Sequence, residues 1–128
     1  KGSMFNTPPV FAVYTSMLNL EWLKSKGGIT GIEKENEKKA QLIYSEIDLN
    51  PLFDGFSAKA DRSVMNATFN LKNDNLKDTF DSMWQEAGIN GINGHRSVGG
   101  YRASMYNALS LESVQVLVEI MSELERKA

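Results

Sequence analysis

The chain has 128 residues, of which 41% are hydrophobic and 23% charged, with a formal net charge of -2. This is the profile of one ordinary globular domain, long enough to bury a core and without the basic footprint of a nucleic-acid binder. Zero cysteines and a single histidine exclude disulfides and thiolate metal sites and argue against a protein-only zinc or iron site.

The missing cysteines are compatible with a reducing cytoplasm, which is the expected location. No apolar run approaches the ~20 residues of a membrane helix, and nothing resembles a signal peptide. Neither a membrane nor a nucleic acid is therefore expected as a partner.

In chain order, Thr7-Pro8-Pro9 predicts a helix start, with Thr7 as N-cap and Pro8 at the first helical position. Val10 to Leu23 is apolar almost all round, which predicts a helix buried on several sides and ended by Gly27-Gly28. A second helix is expected from about Ile29 to Ile47. Its buried stripe is Ile29, Ile32, Ala40, Ile43 and Ile47. Its solvated face runs from Glu33 to Lys39, with pairs such as Glu35–Lys39. Pro51 and Asp54-Gly55 mark a loop.

Ser63 to Leu71 alternates, with Met65, Ala67, Phe69 and Leu71 on one face, and predicts a half-buried strand. Asn73 or Asp74 should cap a helix carrying Leu76, Phe80, Met83 and Ala87, closed by Gly88. Ile89–Ile92 and Arg102–Tyr106 are expected as strands around the Asn93-Gly94 turn. Ser110 should cap a last helix with Leu111, Val114, Leu117, Val118, Met121 and Leu124 on one face. Trp22 and Trp84 read as core residues. The expected architecture is α+β: a small, mostly antiparallel sheet with helices packed on one side.

Two segments stand out for chemistry. Gly94-His95-Arg96-Ser97-Val98-Gly99-Gly100-Tyr101-Arg102 holds the only histidine and two of four arginines among three glycines. Arginine forks match phosphate or carboxylate oxygens, and glycine lets the backbone come close. A tight turn with two solvated arginines is the plainer alternative. His95, Arg96 and Arg102 are expected to converge at one edge of the sheet.

Asn6-Thr7 at a helix start is the second candidate. A helix N-terminus attracts phosphate, although Pro8 and Pro9 lack the N–H donor. Simple capping by Thr7 is its alternative. No lysine shows the apolar setting that would lower its pKa and make it a nucleophile.

With both segments in view, the chain resembles the phosphoserine aminotransferase family. The likeness lies in Ser3-Met4-Phe5-Asn6-Thr7-Pro8-Pro9, Arg62-Ser63-Val64-Met65-Asn66-Ala67-Thr68-Phe69, Glu86-Ala87-Gly88, Gly94 to Ser104 and Tyr106-Asn107-Ala108. It covers essentially the whole chain and places Lys1-Gly2-Ser3 as native sequence.

The resemblance implies that residues 1–128 are the single C-terminal small domain of a longer class V, fold-type I aminotransferase, with the large cofactor-binding domain absent. It implies a homodimer using pyridoxal 5'-phosphate. That enzyme passes an amino group from glutamate to 3-phosphohydroxypyruvate, giving phosphoserine and 2-oxoglutarate in serine biosynthesis, with a related step in pyridoxine synthesis.

Residue by residue, it implies that Asn6 and Thr7 reach the cofactor phosphate in the partner subunit. His95 and Arg96 would likewise reach the substrate phosphate across the dimer, and Arg102 would hold the α-carboxylate. Many family members have Thr at Val10 and Met at Tyr101. The family's cofactor-bearing lysine lies in a Gln-Lys-Asn context that this chain lacks, so no catalytic residue is expected here and the chain alone should be inactive. The alternative from another class is a stand-alone, non-catalytic anion-binding module of the same fold.

Overall fold

The computed structural model describes residues 2 and 4–128. Lys1 and Ser3, on which part of the reading of the N-terminal residues rests, lie outside the described residues. The chain forms two compact units, residues 1–34 and 35–128.

The first unit contains α1 (Val10–Ser25) and the beginning of α2 (Gly28–Leu49). Helix α1 starts later than expected, and Thr7 does not cap it. Pro9 is the N-cap, without a side-chain hydrogen bond. The reason is Pro9 itself, because a residue that precedes proline is pushed out of the helical region. Pro8 therefore cannot be helical.

The expected burial of α1 is also overturned. None of its residues is buried; Phe11 is 81% exposed and Leu20 64%. Trp22 is only half-buried rather than core. A helix that is apolar on all sides needs partners on all sides, and the chain leaves this one uncovered.

The second unit is built on a three-stranded antiparallel sheet of order β1-β2-β3: β1 (Phe53–Gly55), β2 (Asn66–Leu71) and β3 (Tyr101–Ser104). One face carries Phe53, Ala67, Phe69, Tyr101 and Ala103. It joins Ile43 and Ile47 of α2, Phe80 and Trp84 of α3 (Lys77–Glu86), and Val114, Leu117, Met121 and Leu124 of α4 (Leu111–Lys127) in a single core. Phe53, Phe69, Phe80 and Tyr101 interlock, with ring centroids 5.0 to 5.8 Å apart. Such pairs contribute about 0.5–1.5 kcal/mol each beyond area burial. The α+β layer is therefore as expected, and Ser110 caps α4 by accepting the Ser113 N–H at 3.2 Å.

Three strand expectations need correction. Phe53–Gly55, read as loop, pairs with Leu71, Asn70 and Phe69. Burial of the Phe53 ring against Phe69 and Phe80 overrides the turn chemistry of Asp54-Gly55. Ile89–Ile92 is not a strand. Gly88 and Gly91 both take positive φ, which interrupts the extended run; pairing is reduced to an Asn93–Tyr101 bridge and an Arg102 N–H bond to the Ile92 carbonyl at 2.7 Å. The strand predicted for 102–106 stops at Ser104.

The last of these changes has a visible cause. Lys39, assigned from sequence to the solvated face, is buried at 1% exposure. Its Nζ donates to the carbonyls of Met105, Tyr106 and Leu109 at 3.2, 2.9 and 3.1 Å, so these carbonyls serve the ammonium where a strand would pair them, although the Met105 N–H still bonds the Met65 carbonyl at 2.7 Å. Burial lowers the Lys39 pKa, opposed by the Glu35 charge, so the expectation that no lysine is so placed fails. All three ammonium donors are nevertheless committed to carbonyls, and Lys39 is no free nucleophile. Glu35 pairs with Lys38 instead, at 2.7 Å.

Candidate functional site

Strand alternation sends Asn66, Thr68 and Asn70 of β2 and Arg102 and Ser104 of β3 to the sheet face opposite the core. Cross-strand register sets Thr68 directly against Arg102 and Asn66 against Ser104. The Ser104 hydroxyl donates to Asn66 Oδ1 at 3.0 Å, and Thr68 shares a hydrogen bond with Ser57 at 3.3 Å. This is a polar, ordered surface with one guanidinium standing on it.

The segment 94–100 forms an arm beside that surface. The Gly94 N–H donates to the Gly100 carbonyl at 2.8 Å, closing a loop, and the Val98 and Gly99 N–H groups both donate to the His95 carbonyl at 2.8 Å. Glycine is required at both ends. A Cβ on Gly94 would lie 1.9 Å from the Gly99 carbonyl oxygen. One on Gly100, at φ +64, would lie 2.1 Å from Asn70 Oδ1 and 2.8 Å from the Phe69 carbonyl oxygen. The sequence packs glycines here because the loop folds flat against β2.

At the tip, His95 Nδ1 meets the Ser97 hydroxyl at 2.7 Å and the Ser97 N–H at 3.3 Å. A main-chain N–H can only donate, so Nδ1 accepts and the ring hydrogen sits on Nε2, available as a donor. His95 and Arg102 line one cleft of about 170 Å³ with Thr68, Asn70 and Gly99. Arg96 is exposed on the arm and is not part of that lining. The expected convergence is thus shown for His95 and Arg102 and not for Arg96.

The electrostatics of this region are one-sided. Among the described residues neither Arg96 nor Arg102 has a carboxylate partner, whereas Arg62 is locked to Asp48. No acidic residue occurs between Glu86 and Glu112. That acid-free stretch was legible in the sequence and is the signal that marks the arm. Thr68 and Asn70 were not singled out, because only the strand register shows that they face Arg102 and Gly100.

In the first unit, Asn6 and Thr7 are exposed just ahead of α1. The Val10 N–H donates to the Pro8 carbonyl at 2.8 Å. Among the described residues neither side chain has a hydrogen-bond partner, so the capping alternative for Thr7 is not what the structure adopts. An amide and a hydroxyl before the positive end of a helix form a donor set suited to phosphate oxygens. Among the described residues no helix is long and apolar enough to cross a membrane.

Comparison with known proteins places this geometry in a family. The description of the class-V aminotransferases matches residues 1–117. Phosphoserine aminotransferase of Flavobacterium psychrophilum is 66% identical over 98% of this chain and 35% of its own length. The solved structure of phosphoserine aminotransferase from Bacillus circulans subsp. alkalophilus is 41% identical, with a TM-score of 0.90 over 98% of this chain and 35% of that one. The PLP-bound enzyme from Trichomonas vaginalis is 35% identical, with a TM-score of 0.83 over 94% and 35%. The chain thus spans about a third of the length of the relatives it matches. On the extent of the family match, and on its agreement with the observed α+β layer, the chain belongs to the class-V aminotransferase family.

Proposed function

We propose that this chain is the C-terminal small domain of a phosphoserine aminotransferase and supplies the anion-gripping part of its active site. The whole enzyme, a homodimer, passes an amino group from glutamate to 3-phosphohydroxypyruvate, leaving 2-oxoglutarate and phosphoserine. The observation that carries this reading is the cleft that His95 of the glycine-closed arm and Arg102 of β3 line together, with no carboxylate partner for Arg102 among the described residues and with Arg96 exposed beside His95 on the same arm. Arg102 offers the bidentate fork for the α-carboxylate that all these substrates share. His95, through Nε2, and Arg96 reach across the dimer to hold the phosphate that only the serine-side substrates carry.

The donor set at Asn6 and Thr7 fits a phosphorylated cofactor such as pyridoxal phosphate, the group bound in the relative from Trichomonas vaginalis. The cofactor, when bound, supplies the electron sink for amino transfer. Asn6 and Thr7 hold its phosphate and so fix its orientation. The exposed apolar surface of α1 supports a longer parent, since a patch of this kind marks an interface.

Cofactor titration of the full-length protein tests the reading. Asn6→Ala with Thr7→Ala should weaken pyridoxal phosphate binding by on the order of a hundredfold, since hydrogen bonds to charged groups contribute about 1.5–3 kcal/mol each. Preference for phosphoserine should not change. The 128-residue chain alone should turn over neither substrate. Unchanged cofactor affinity in the double variant would overturn the cofactor role of Asn6 and Thr7 and favour a stand-alone anion-binding module, whereas turnover by the isolated chain would overturn its reading as a domain without catalytic residues.

A further inference from the structure

We infer that Asp81 is a positioning residue for the arm, acting through the hydrogen bond it accepts from the Tyr101 hydroxyl; this rests on reading the arm as the anion site. Tyr101 is the residue at which the arm joins the body. Its main chain pairs with Phe69 on one side and bridges Asn93 on the other. The residue before it, Gly100, closes the arm by accepting the Gly94 N–H, and the residue after it is Arg102. Alternation turns the Tyr101 ring to the face opposite Arg102. There it is buried against Phe69 and Phe80, at 5.4 and 5.0 Å between centroids.

At the far end of that ring the phenol donates to Asp81 Oδ1 at 2.8 Å. The carboxylate is itself fixed. Trp84 Nε1 donates to the same oxygen at 3.0 Å, and the Lys77 ammonium pairs with the other. Lys77, Asp81 and Trp84 are successive residues on one face of α3. Helix α3 is therefore tied to the root of the arm by one charge-assisted hydrogen bond, beside the packing of Phe80 on the Tyr101 ring. The arm's remaining bonds near its tip are internal to it, and Gly99 and Gly100, both at positive φ, have no side chains to resist a shift.

Burial and Asp81 together push the Tyr101 hydroxyl far above the ordinary tyrosine value. Burial pushes Asp81 up, but hydrogen bonds from Lys77, Trp84 and Tyr101 outweigh it and hold the carboxyl low. Donor and acceptor thus keep their roles at neutral pH. Neither group reaches the outer face, so their action on a ligand runs through Gly100 and Arg102.

The test uses the full-length protein. Tyr101→Phe, Asp81→Ala and the double variant are compared with Leu124→Ala, a core truncation that gives the effect of lost stability alone. Amide hydrogen exchange at Gly94 and Arg102 needs no activity and is read first. Each single variant should raise exchange at these two amides by roughly tenfold. The double variant should add nothing further, whereas Leu124→Ala should raise exchange across α4 and the sheet alike.

Initial rates with phosphoserine should then show KM up by about tenfold and kcat within about twofold, the pattern of lost binding shared by ground and transition states. Asp81→Asn, whose amide oxygen still accepts the phenol hydrogen, should recover most of that loss. Unchanged exchange at Gly94 and Arg102, additive effects in the double variant, or normal KM despite raised exchange would overturn the inference. If exchange responds as expected but the unaltered enzyme does not use phosphoserine, the anion-site reading fails while the tie between Asp81 and the arm stands.

Discussion

Arg62 and Arg102 are the same residue put to opposite uses in two regions of one unit. Arg62 lies over the Tyr44 ring, 4.5 Å from its centroid, and forks onto Asp48 at 3.0 and 2.6 Å. Lys59 adds a second cation to that carboxylate at 2.9 Å, and Tyr44 donates onward to the Ser63 carbonyl at 2.9 Å. A few residues along the same helix, Lys39 is spent on three carbonyls. Around α2, then, the protein satisfies its own cations and gains stability from them. On the arm and on β3, by contrast, Arg96 and Arg102 have no carboxylate partner among the described residues. A cation with no protein partner is available to a ligand, and its removal should be felt in binding rather than in folding.

The contrast can be broken most forcefully at Lys39. Lys39→Met fills the volume but strips a buried hydrogen bond from the Met105 carbonyl and two partly buried ones from Tyr106 and Leu109. The loss should be about 4 kcal/mol, as each orphaned buried acceptor costs about 1–3. Urea unfolding of the chain measures it, and a change under about 1 kcal/mol would mean that water replaces the ammonium without penalty.

Arg62→Ala should come next, at about 2 kcal/mol, because it removes a fork of charge-assisted hydrogen bonds and the packing on Tyr44 while leaving Asp48 only Lys59 as a partner. The same pair gives a pH signature. The Arg62 hydrogen bond, with a second from Lys59, holds Asp48 well below the ordinary carboxylate range. A depressed folded pKa stabilises above the unfolded value, so its contribution is full at neutral pH. It is lost as pH falls from about 4 toward the folded value. Wild type should therefore lose more stability than Asp48→Asn over that interval, and parallel acid curves would refute the assignment.

What the sequence made legible follows the range of the interactions. Helix α4 could be read because its cap and its stripe are local: Ser110 serves Ser113 three residues on, and Val114, Leu117, Met121 and Leu124 repeat at helical spacing. The arm could be read because glycine and arginine are concentrated where the backbone must turn closely and present charge.

Lys39 could not be read, since its partners are main-chain carbonyls 66 to 70 residues away, and a carbonyl has no side-chain signature. Strand β1 failed for a similar reason: Phe53 is extended only because Phe69 and Phe80 receive it. In α1 the apolar character was plain, but burial requires a partner surface, which the sequence of the helix alone does not provide. Even so, the register that sets Thr68 against Arg102 had no counterpart in either strand read separately.

The smallest effect on folding belongs to the arm, and there the comparison becomes sharpest. Arg102 is exposed, its side chain has no carboxylate partner among the described residues, and Arg102→Lys keeps the charge while removing the fork. Unfolding of the chain should change by less than about 0.5 kcal/mol, the ordinary range for a surface substitution. If the full-length protein is the aminotransferase proposed above, the same change should impair both half-reactions, because phosphoserine, glutamate and their keto partners all present an α-carboxylate. Arg96→Ala should also leave folding unchanged, yet slow the phosphorylated substrate more than glutamate. Glutamate can use the same group only through its side-chain carboxylate. Single-turnover rates for each half-reaction separate the two arginines. If Arg102→Lys spares both, or if Arg96→Ala weakens glutamate more than phosphoserine, the anions have been assigned to the wrong residues even though the arm remains the binding surface. If either substitution instead unfolds the chain as Arg62→Ala does, the arm's cations are structural, and the distinction between satisfied and available charge does not hold.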